Sequence, residues 1–483
     1  MTAQGVTPQS DDFSRWYTDV VQKADLADYA PVRGCMIIKP YGYELWENVK
    51  AGLDQRFKAT GHRNAYFPLL IPMSFIEKEG EHVKGFAPEL AVVTHGGGKE
   101  LEEPLAIRPT SETVIGHSFS RWIQSHRDLP LLINQWANIV RWELRPRLFL
   151  RTLEFLWQEG HTAHATEEEA QEEAMRMLDV YDDFVVKEAA IPVIKGLKST
   201  QEKFAGAQSS YTIEAMMKNK WALQSGTSHN LGQNFAKAFD IKFLDKNNEL
   251  QFCWTTSWGV STRMIGGIIM AHGDDKGLRL PPRLAPIQVI VVPIWKTDAE
   301  KESVMDVVQD IHRSLTTADV RVQIDDREGL TPGFKFNDWE MRGVPLRMEI
   351  GPRDVKSGSA LLVRRDIPGK KGRQSLPTDR LVPGVAALLD EIQENLFQQA
   401  TRFRDANLHE ASSYEELKEI VKEGWVLIPH CGTAECEDKI KAETKATSRC
   451  FPLDINKNWS PEGKKCPVCG RPAQGLAYFA RAY

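Results

Sequence analysis

The chain has 483 residues, enough for roughly three domains, with 42% hydrophobic and 26% charged residues and a formal net charge of −5. That composition excludes a disordered polymer, a disulfide-stapled miniprotein and a globally basic nucleic-acid binder, so any nucleic acid must be held by local patches. No apolar run reaches the roughly 18–20 residues that span a bilayer, residues 1–8 lack the layout of a signal peptide, and the seven cysteines are not laid out as a secreted framework; a cytoplasmic protein with no membrane partner is expected.

In chain order, Phe13, Trp16, Tyr17, Val20 and Val21 predict an amphipathic helix within residues 1–35. Leu45, Val49, Leu53 and Phe57 predict a second over 43–60, ended by Gly61. A strand is expected over 64–72, closing on Pro68. Segments 90–94 and 105–108 flank Gly96-Gly97-Gly98-Lys99 as a hairpin tip, which lacks the spacing of a phosphate loop. A helix over 112–126 precedes a hairpin of strands 131–143 and 151–158, joined by residues 144–150. Thr166 with Glu169 makes a capping box, and a helix runs from there to about Lys187. Further strands are expected at 221–224, 241–244 and 250–257. Hairpin-paired strands with helices between them predict a mixed, mainly antiparallel α+β core. Residues 280–286, rich in proline, read as a linker. Beyond it, the apolar run 287–294, a capping box at Thr297 and Glu300, the helical spacing of Val304, Val307, Val308, Ile311 and Leu315, and a strand at 320–324 predict a parallel α/β unit ending in a helix over 382–403. Residues 404–483 carry most of the cysteines.

Several stretches carry chemistry. Arg141-Trp142-Glu143 is followed by Arg151-Thr152-Leu153-Glu154-Phe155. Residues two apart on a strand share a face, so Arg141 and Glu143 are expected to point one way, and Arg151, Leu153 and Phe155 to share a face of the returning strand. The arginine fork suits phosphate, a phenylalanine stacks on a purine, and a glutamate accepts from an exocyclic amine. Together they describe a floor for ATP; a sheet edge with solvated charges is the alternative. Residues 224–232, Gln-Ser-Gly-Thr-Ser-His-Asn-Leu-Gly, read as a flexible polar turn between strands, either gripping a ligand or simply a loop.

Gly259-Val260-Ser261-Thr262-Arg263 opens an apolar helix. An arginine there opposes the positive end of the helix dipole unless an anion sits beside it; an exposed arginine is the alternative. In Arg108-Pro109-Thr110-Ser111-Glu112, Thr110 caps the following helix or Glu112 meets a ligand's ammonium group. Arg364, Arg365, Lys370, Lys371 and Arg373 form the strongest basic run, a nucleic-acid patch or a solvated loop. Cys431 and Cys436 are separated by four residues and Cys466 and Cys469 by two, with 29 between the pairs. Four thiolates bind Zn²⁺ tetrahedrally and close its shell, so a structural site is expected; His430 and Cys450 are weaker candidates. Cys35 and Cys253 read as core.

In this order, these pieces resemble a class II aminoacyl-tRNA synthetase. The Arg141–Phe155 pattern looks like its second signature motif, Gly-Val-Ser-Thr-Arg263 like the third, and the helix and strand ending at Pro68 like the first, which builds a dimer interface in that class. Pro31-Val-Arg-Gly-Cys-Met, Arg108–Glu112, Arg151–His161 and Gly226-Thr-Ser-His-Asn-Leu-Gly-Gln-Asn-Phe-Ala-Lys are closest to the prolyl-tRNA synthetase family, over nearly the whole chain. The resemblance implies a class II antiparallel-sheet catalytic domain at 1–283, an α/β anticodon-binding domain at 284–403 and a small zinc-binding α/β domain at 404–483. It implies proline-, ATP- and tRNA(Pro)-dependent ligation by a homodimer, with Mg²⁺ and structural Zn²⁺. Arg141 would bridge the proline carboxylate and α-phosphate, and Arg263 would bind the terminal phosphate, both catalytic. Glu143, Arg151, Thr152, Phe155, Gln224 and Thr227 would hold the nucleotide. Thr110, Glu112, Trp157, Phe204, His229 and Ser261 would hold proline. Glu340 and Arg347 would read the anticodon, and Cys431, Cys436, Cys466 and Cys469 would bind the metal. Only 111 residues separate Arg151 from Arg263 (positions 152–262), which implies the archaeal- and eukaryote-like subtype without an editing insertion. The family also ends in a tyrosine turned toward the active site, a pattern Tyr483 fits. A sibling synthetase for threonine, glycine, serine or histidine, a non-catalytic tRNA-binding module, and a zinc-tailed nucleotide-binding protein are the alternatives.

Overall fold

The computed structural model describes residues 5–82, 90–143 and 145–483. Its centre is an eleven-stranded sheet in the order Leu408–Glu410, Trp425–His430, Gly475–Ala480, Thr447–Pro452, Val193–Leu197, Ser209–Met216, Ala222–Gly232, Trp254–Ser261, Glu154–His164, Leu131–Val140 and Arg63–Asn64. All neighbours run antiparallel except the two outermost pairs. The expected α+β core is therefore present. Helices Pro40–Ala59 and Glu167–Lys187 cover the back of the sheet, where Phe57, Tyr181 and Trp258 meet, with ring centroids of Phe57 and Trp258 5.0 Å apart. Thr166 accepts from the Glu169 N–H, and the Glu169 carboxylate reaches back to the Ala165 N–H at 3.0 Å, so the longer helix starts where its cap residues put it.

A second sheet orders Val322–Ile324, Val289–Pro293, Leu346–Ile350, Ser359–Arg364 and Arg373–Pro377. Its first three strands are parallel, as the strand–helix–strand spacing predicts, but the last two return antiparallel. Helix Asp298–Thr317, opened by the Thr297–Glu300 capping box, and helix Leu381–Asp405 pack on it through Val304, Ile311, Val385 and Leu389.

Four expectations are corrected. Residues 64–72 do not form one strand; Arg63–Asn64 joins the large sheet and Leu70–Pro72 pairs with Lys99–Ile107, because the intervening Pro68 cannot donate to a ladder. The signature hairpin is displaced toward its distal end. Its strands are Leu131–Val140 and Glu154–His164, so Arg141, Glu143 and Arg151 lie in the connection rather than on strands; Leu144 of the expected loop lies outside the described residues. Residues 224–232 are no turn but part of strand Ala222–Gly232, hydrogen-bonded on both sides. The expected linker is packed: Leu280, Leu284 and Ala285 are buried in the same core as the first helices, and Asn48 donates to the Leu284 carbonyl at 3.0 Å.

Candidate active site and cysteine cluster

The open face of the large sheet carries a cavity of about 270 Å³. Alternation along Glu154–His164 sends Phe155, Trp157, Glu159 and His161 into it, while Gln158 and Thr162 face the helices behind. Gly160 lies on that rear side, where a Cβ would come within 2.1 Å of the Trp258 ring.

Arg141 follows the last residue of its strand, and its N–H reaches the Leu153 carbonyl at 2.8 Å, extending the hairpin ladder by one pair. Its Nε donates to the Pro109 carbonyl at 3.0 Å, and the guanidinium lies 5.8 Å from the Phe155 ring centre and 5.5 Å from that of Trp157. The side chain is open to water through the cavity, while the enclosing protein lowers its proton affinity against the pull of Glu112 and Glu159. It stays cationic at neutral pH.

The segment Arg108–Glu112 is pinned from below. Arg108 is fully buried and donates to the carbonyls of Phe67 and Asn138, both at 2.7 Å, and to Asn138 Oδ1 at 2.8 Å. Thr110 does not cap the helix: Ser111 holds the cap position, and the Thr110 hydroxyl donates to the Glu112 carboxylate. Glu112, the first helical residue, is thereby aimed at the cavity. Beneath it Ser111 donates to Glu159, which also accepts from Gln135 at 2.7 Å and lies 3.0 Å from His161 Nε2. Burial works against charge on both Glu159 and His161, yet their mutual contact wins: the carboxyl is held below its usual range and the imidazole above its own. Neither residue was singled out from sequence, although Glu159 lies two and His161 four positions on from the expected ligand Trp157, on the same strand face.

Gln224 and Thr227 are three apart on a strand, yet both line the cavity. The register shifts between Ile213 and Glu214, leaving Ser225 as an extra residue, and this bulge returns both side chains to one face. His229, two further on, bonds Ser210 Oγ through Nδ1 at 2.8 Å and stacks on Phe204 at 4.9 Å between ring centres. Burial, with Lys198 and His161 nearby, pushes its pKa down to about 3, so it is neutral at physiological pH. Ser261 ends the neighbouring strand, and Arg263 opens helix Arg263–His272 with its Nε on the Leu150 carbonyl at 3.1 Å. Burial, then Arg151 and Arg141, lower the Arg263 pKa to about 10. Arginines crowded beside a helix N-terminus make an anion-seeking site.

The structure thus brings Thr110, Glu112, Arg141, Trp157, Phe204, His229 and Ser261 to one cavity with Phe155, Gln224, Thr227 and Arg263. It does not bring Glu143, Arg151 and Thr152 to the cavity wall: Glu143 and Arg151 face each other at 3.6 Å, and the buried Thr152 hydroxyl donates to the Glu154 carbonyl at 2.7 Å. Tyr483 lies beyond the cavity wall too, against Trp221 and Arg147, with its N–H on the Ala222 carbonyl at 3.1 Å.

Away from the cavity, Arg347 pairs with Glu349 at 2.9 Å and lies 4.2 Å over the Phe336 ring, and Glu340 meets Lys276 at 3.1 Å. The basic run is smaller than its sequence suggests. Arg364 is taken by Asp366 and Glu391, and the buried Arg365 by Asp274, leaving Lys370, Lys371 and Arg373 exposed. The sulfurs of Cys431, Cys436, Cys466 and Cys469 lie within 4.8 Å of one another, with Cys431 and Cys469 3.7 Å apart. A tetrahedral zinc with Zn–S of about 2.3 Å requires sulfurs about 3.8 Å apart, so the four thiols fit that ion. His430 does not join the cluster, and its Nδ1 accepts from the Gly432 N–H at 3.0 Å; Cys450 is buried elsewhere, against Gly196. Cys253 is core as expected, but Cys35 is only partly buried.

Comparison with known proteins agrees with this geometry. Residues 93–272 match the family described as tRNA synthetase class II core domain (G, H, P, S and T), residues 288–388 the anticodon binding domain, and residues 414–483 the prolyl-tRNA synthetase C-terminal family. Fold and site together define a class II aminoacyl-tRNA synthetase. The chain is 57% identical to a proline–tRNA ligase of Roseiflexus sp. (strain RS-1) over 100% of both chains. It is 60% identical to that of Symbiobacterium thermophilum over 99% of this chain and 98% of the relative. The crystal structure of prolyl-tRNA synthetase from Cryptosporidium parvum, complexed with halofuginone and AMPPNP, superposes with a TM-score of 0.94 at 40% identity, covering 99% of each chain. The chain therefore belongs to the prolyl-tRNA synthetase family. It is a proline–tRNA ligase, with ATP as substrate and proline and tRNA as partners.

Proposed function

We propose that this cavity first condenses L-proline with MgATP to prolyl-adenylate and pyrophosphate, then transfers the prolyl group to the 3′-terminal adenosine of tRNA(Pro). The observation that carries this reading is the convergence of Arg141, Arg263, Glu112 and His229 on one cavity. The carboxylate of proline is already a nucleophile, so the first step needs proximity and neutralisation of charge at phosphorus rather than a general base. Arg141, fixed by Pro109 and spread over Phe155 and Trp157, bridges that carboxylate and the α-phosphate. Arg263 takes the terminal phosphate, Phe155 stacks on adenine, and Gln224 and Thr227 meet the nucleoside. Glu143, Arg151 and Thr152 join the nucleotide site only by exchanging their present partners. Glu112 and Thr110 take the secondary ammonium of proline, and Trp157, Phe204, the neutral His229 and Ser261 enclose the ring. Mg²⁺ arrives on the triphosphate, as expected for an ion that keeps phosphate oxygens and waters as ligands.

Proline-dependent ATP–pyrophosphate exchange by the purified protein is the test; exchange driven by threonine, glycine, serine or histidine instead would sink the reading.

The finer assignment is a member of the archaeal- and eukaryote-like subtype without an editing domain. It is supported by the strands and helices between Arg151 and Arg263, which join the large sheet or pack on the core beside it. A small apolar pocket gains only about 1–3 kcal/mol per methylene of discrimination, so alanine or cysteine should support measurable exchange and persist as mischarged tRNA. Rapid deacylation of alanyl-tRNA(Pro) by the protein would refute this.

The domain limits proposed are 1–283, 284–403 and 404–483. Glu340 and Arg347, with Lys370, Lys371 and Arg373, are proposed to meet the anticodon, and the cysteine cluster to hold structural zinc. Reduced buried thiols suit a cytoplasmic location. A homodimer through the first motif is supported by the exposed apolar residues on and beside it, Tyr29, Ile37, Tyr43 and Tyr66, a surface of the kind that protein interfaces cover.

A further inference from the structure

Among the charged side chains of the cavity wall that the proposed reaction does not use, Glu159 and His161 hold each other, and Lys198 does not share that arrangement. Lys198 follows strand Val193–Leu197, is only 8% exposed, and lines the cavity beside His229 and Phe204. Its backbone N–H is held by the Ser210 carbonyl at 2.8 Å, and Ser210 in turn holds His229. Among the described residues its ammonium group has no hydrogen-bond or ion-pair partner. Burial draws its proton affinity down, Glu214 and Glu202 pull the other way, and Arg449 adds to the burial effect.

The reason it is left free lies in another part of the chain. Glu214, fully buried, is the carboxylate that pulls most on Lys198. Arg449, from strand Thr447–Pro452, places Nε and Nη2 on Glu214 Oε2 at 3.1 and 2.8 Å, and the Thr212 hydroxyl donates to Oε1 at 2.9 Å. The C-terminal segment thus saturates Glu214 and leaves the lysine facing the cavity. Lys198 sits at the His229 end, and its charge is among those that act on His229.

We infer that Lys198 is a further substrate-contacting residue that donates to the carboxylate of proline, and that Arg449 is a positioning residue that keeps it available by occupying Glu214. This rests on the cavity being the proline-activating site. The carboxylate is favoured over phosphate because Arg263 already takes the terminal phosphate, Arg141 reaches the carboxylate only from its α-phosphate side, and the ring-binding residues Phe204 and His229 line the cavity with the lysine.

The experiment is steady-state pyrophosphate exchange by the full chain, with KM for proline and for ATP measured separately in wild type, Lys198→Met, Lys198→Arg and Arg449→Met. Lys198→Met should raise KM for proline about tenfold or more, the size of a lost hydrogen bond to a charged group, with KM for ATP unchanged. Lys198→Arg should recover most of that loss. Arg449→Met should raise KM for proline in the same way, and adding Lys198→Met to it should raise KM little further. An unchanged KM for proline in Lys198→Met overturns the inference, as does a change confined to KM for ATP or for tRNA. A misfolded Arg449→Met leaves the two lysine variants to decide. Failure of the proposed function itself would be visible separately, as absence of proline-dependent exchange in the wild type.

Discussion

At the scale of single residues, the site is a set of charges fixed by neighbours that do not meet substrate. Arg108 fastens the Pro109–Glu112 turn to the sheet, and Arg141 is steered by the carbonyl of Pro109. Arg141→Ala should therefore fold but lose about 10²–10³ in kcat for exchange, the cost of removing one charge-stabilising donor, about 2.7–4 kcal/mol; near-normal exchange would remove Arg141 from the mechanism. The Glu159–His161 pair makes a prediction about pH. The histidine pKa is raised, so its contribution to stability is full below the ordinary imidazole value and fades as pH rises through the folded value. The glutamate pKa is lowered, so its contribution holds above the ordinary carboxylate value and fades as pH falls through the folded one. The pair stabilises most fully between about pH 4.5 and 6.5. The Tm gap between wild type and His161→Gln should be widest there and narrow toward pH 9; a gap that widens with pH would contradict the assignment.

At the scale of elements, strand Glu154–His164 has two jobs on its two faces. Its front presents Phe155, Trp157, Glu159 and His161 to the cavity, and its back admits Trp258 over Gly160. A Cβ at Gly160 would meet that ring at 2.1 Å, and the indole is packed against Phe57, His62 and Tyr181. Gly160→Ala should cost about 1–3 kcal/mol or more of stability by denaturant titration and disturb Glu159 and His161 on either side. Much at this scale was legible in the sequence. Helices with strong caps, such as the one opened by Thr297 and Glu300, lie where expected because their signal is local. Strand limits were less legible. Residues 224–232 read as a polar turn because hydroxyls, amides and glycines favour turns, yet they form a central strand whose polar side chains are spent on the cavity from one face and on buried partners such as the Ala174 carbonyl from the other.

At the scale of the whole molecule, the C-terminal segment is joined to the catalytic sheet rather than appended to it. Phe451 and Pro452 pair with Leu197 and Gly196, making one sheet of both parts. From the cysteine-bearing helix Ala434–Thr444, Glu437 accepts from Ser199 at 2.9 Å and Asp438 from Gln201 at 2.7 Å, holding the segment that leads from Lys198 to Phe204. Purified protein is expected to carry one zinc per chain by elemental analysis. Cys466→Ser should lose the metal, lower Tm and raise KM for proline through this wall, since metal affinity becomes folding free energy. Full metal loading in Cys466→Ser would exclude the cluster as the site.

The sequence by itself determined the cation-and-carboxylate inventory of the site, the capped helices and the spacing of the thiols, because these depend on residue type and near neighbours. Only the tertiary structure decided that Glu159, His161 and Lys198 belong to the cavity, that a bulge at Ser225 aims Gln224 and Thr227 together, and that Arg364 and Arg365 are spent on internal carboxylates. Those outcomes depend on which strand lies beside which, and on partners up to 235 residues away, as for Arg449 on Glu214. Pairing at that distance is a property of the assembled sheet, and no local spacing encodes it.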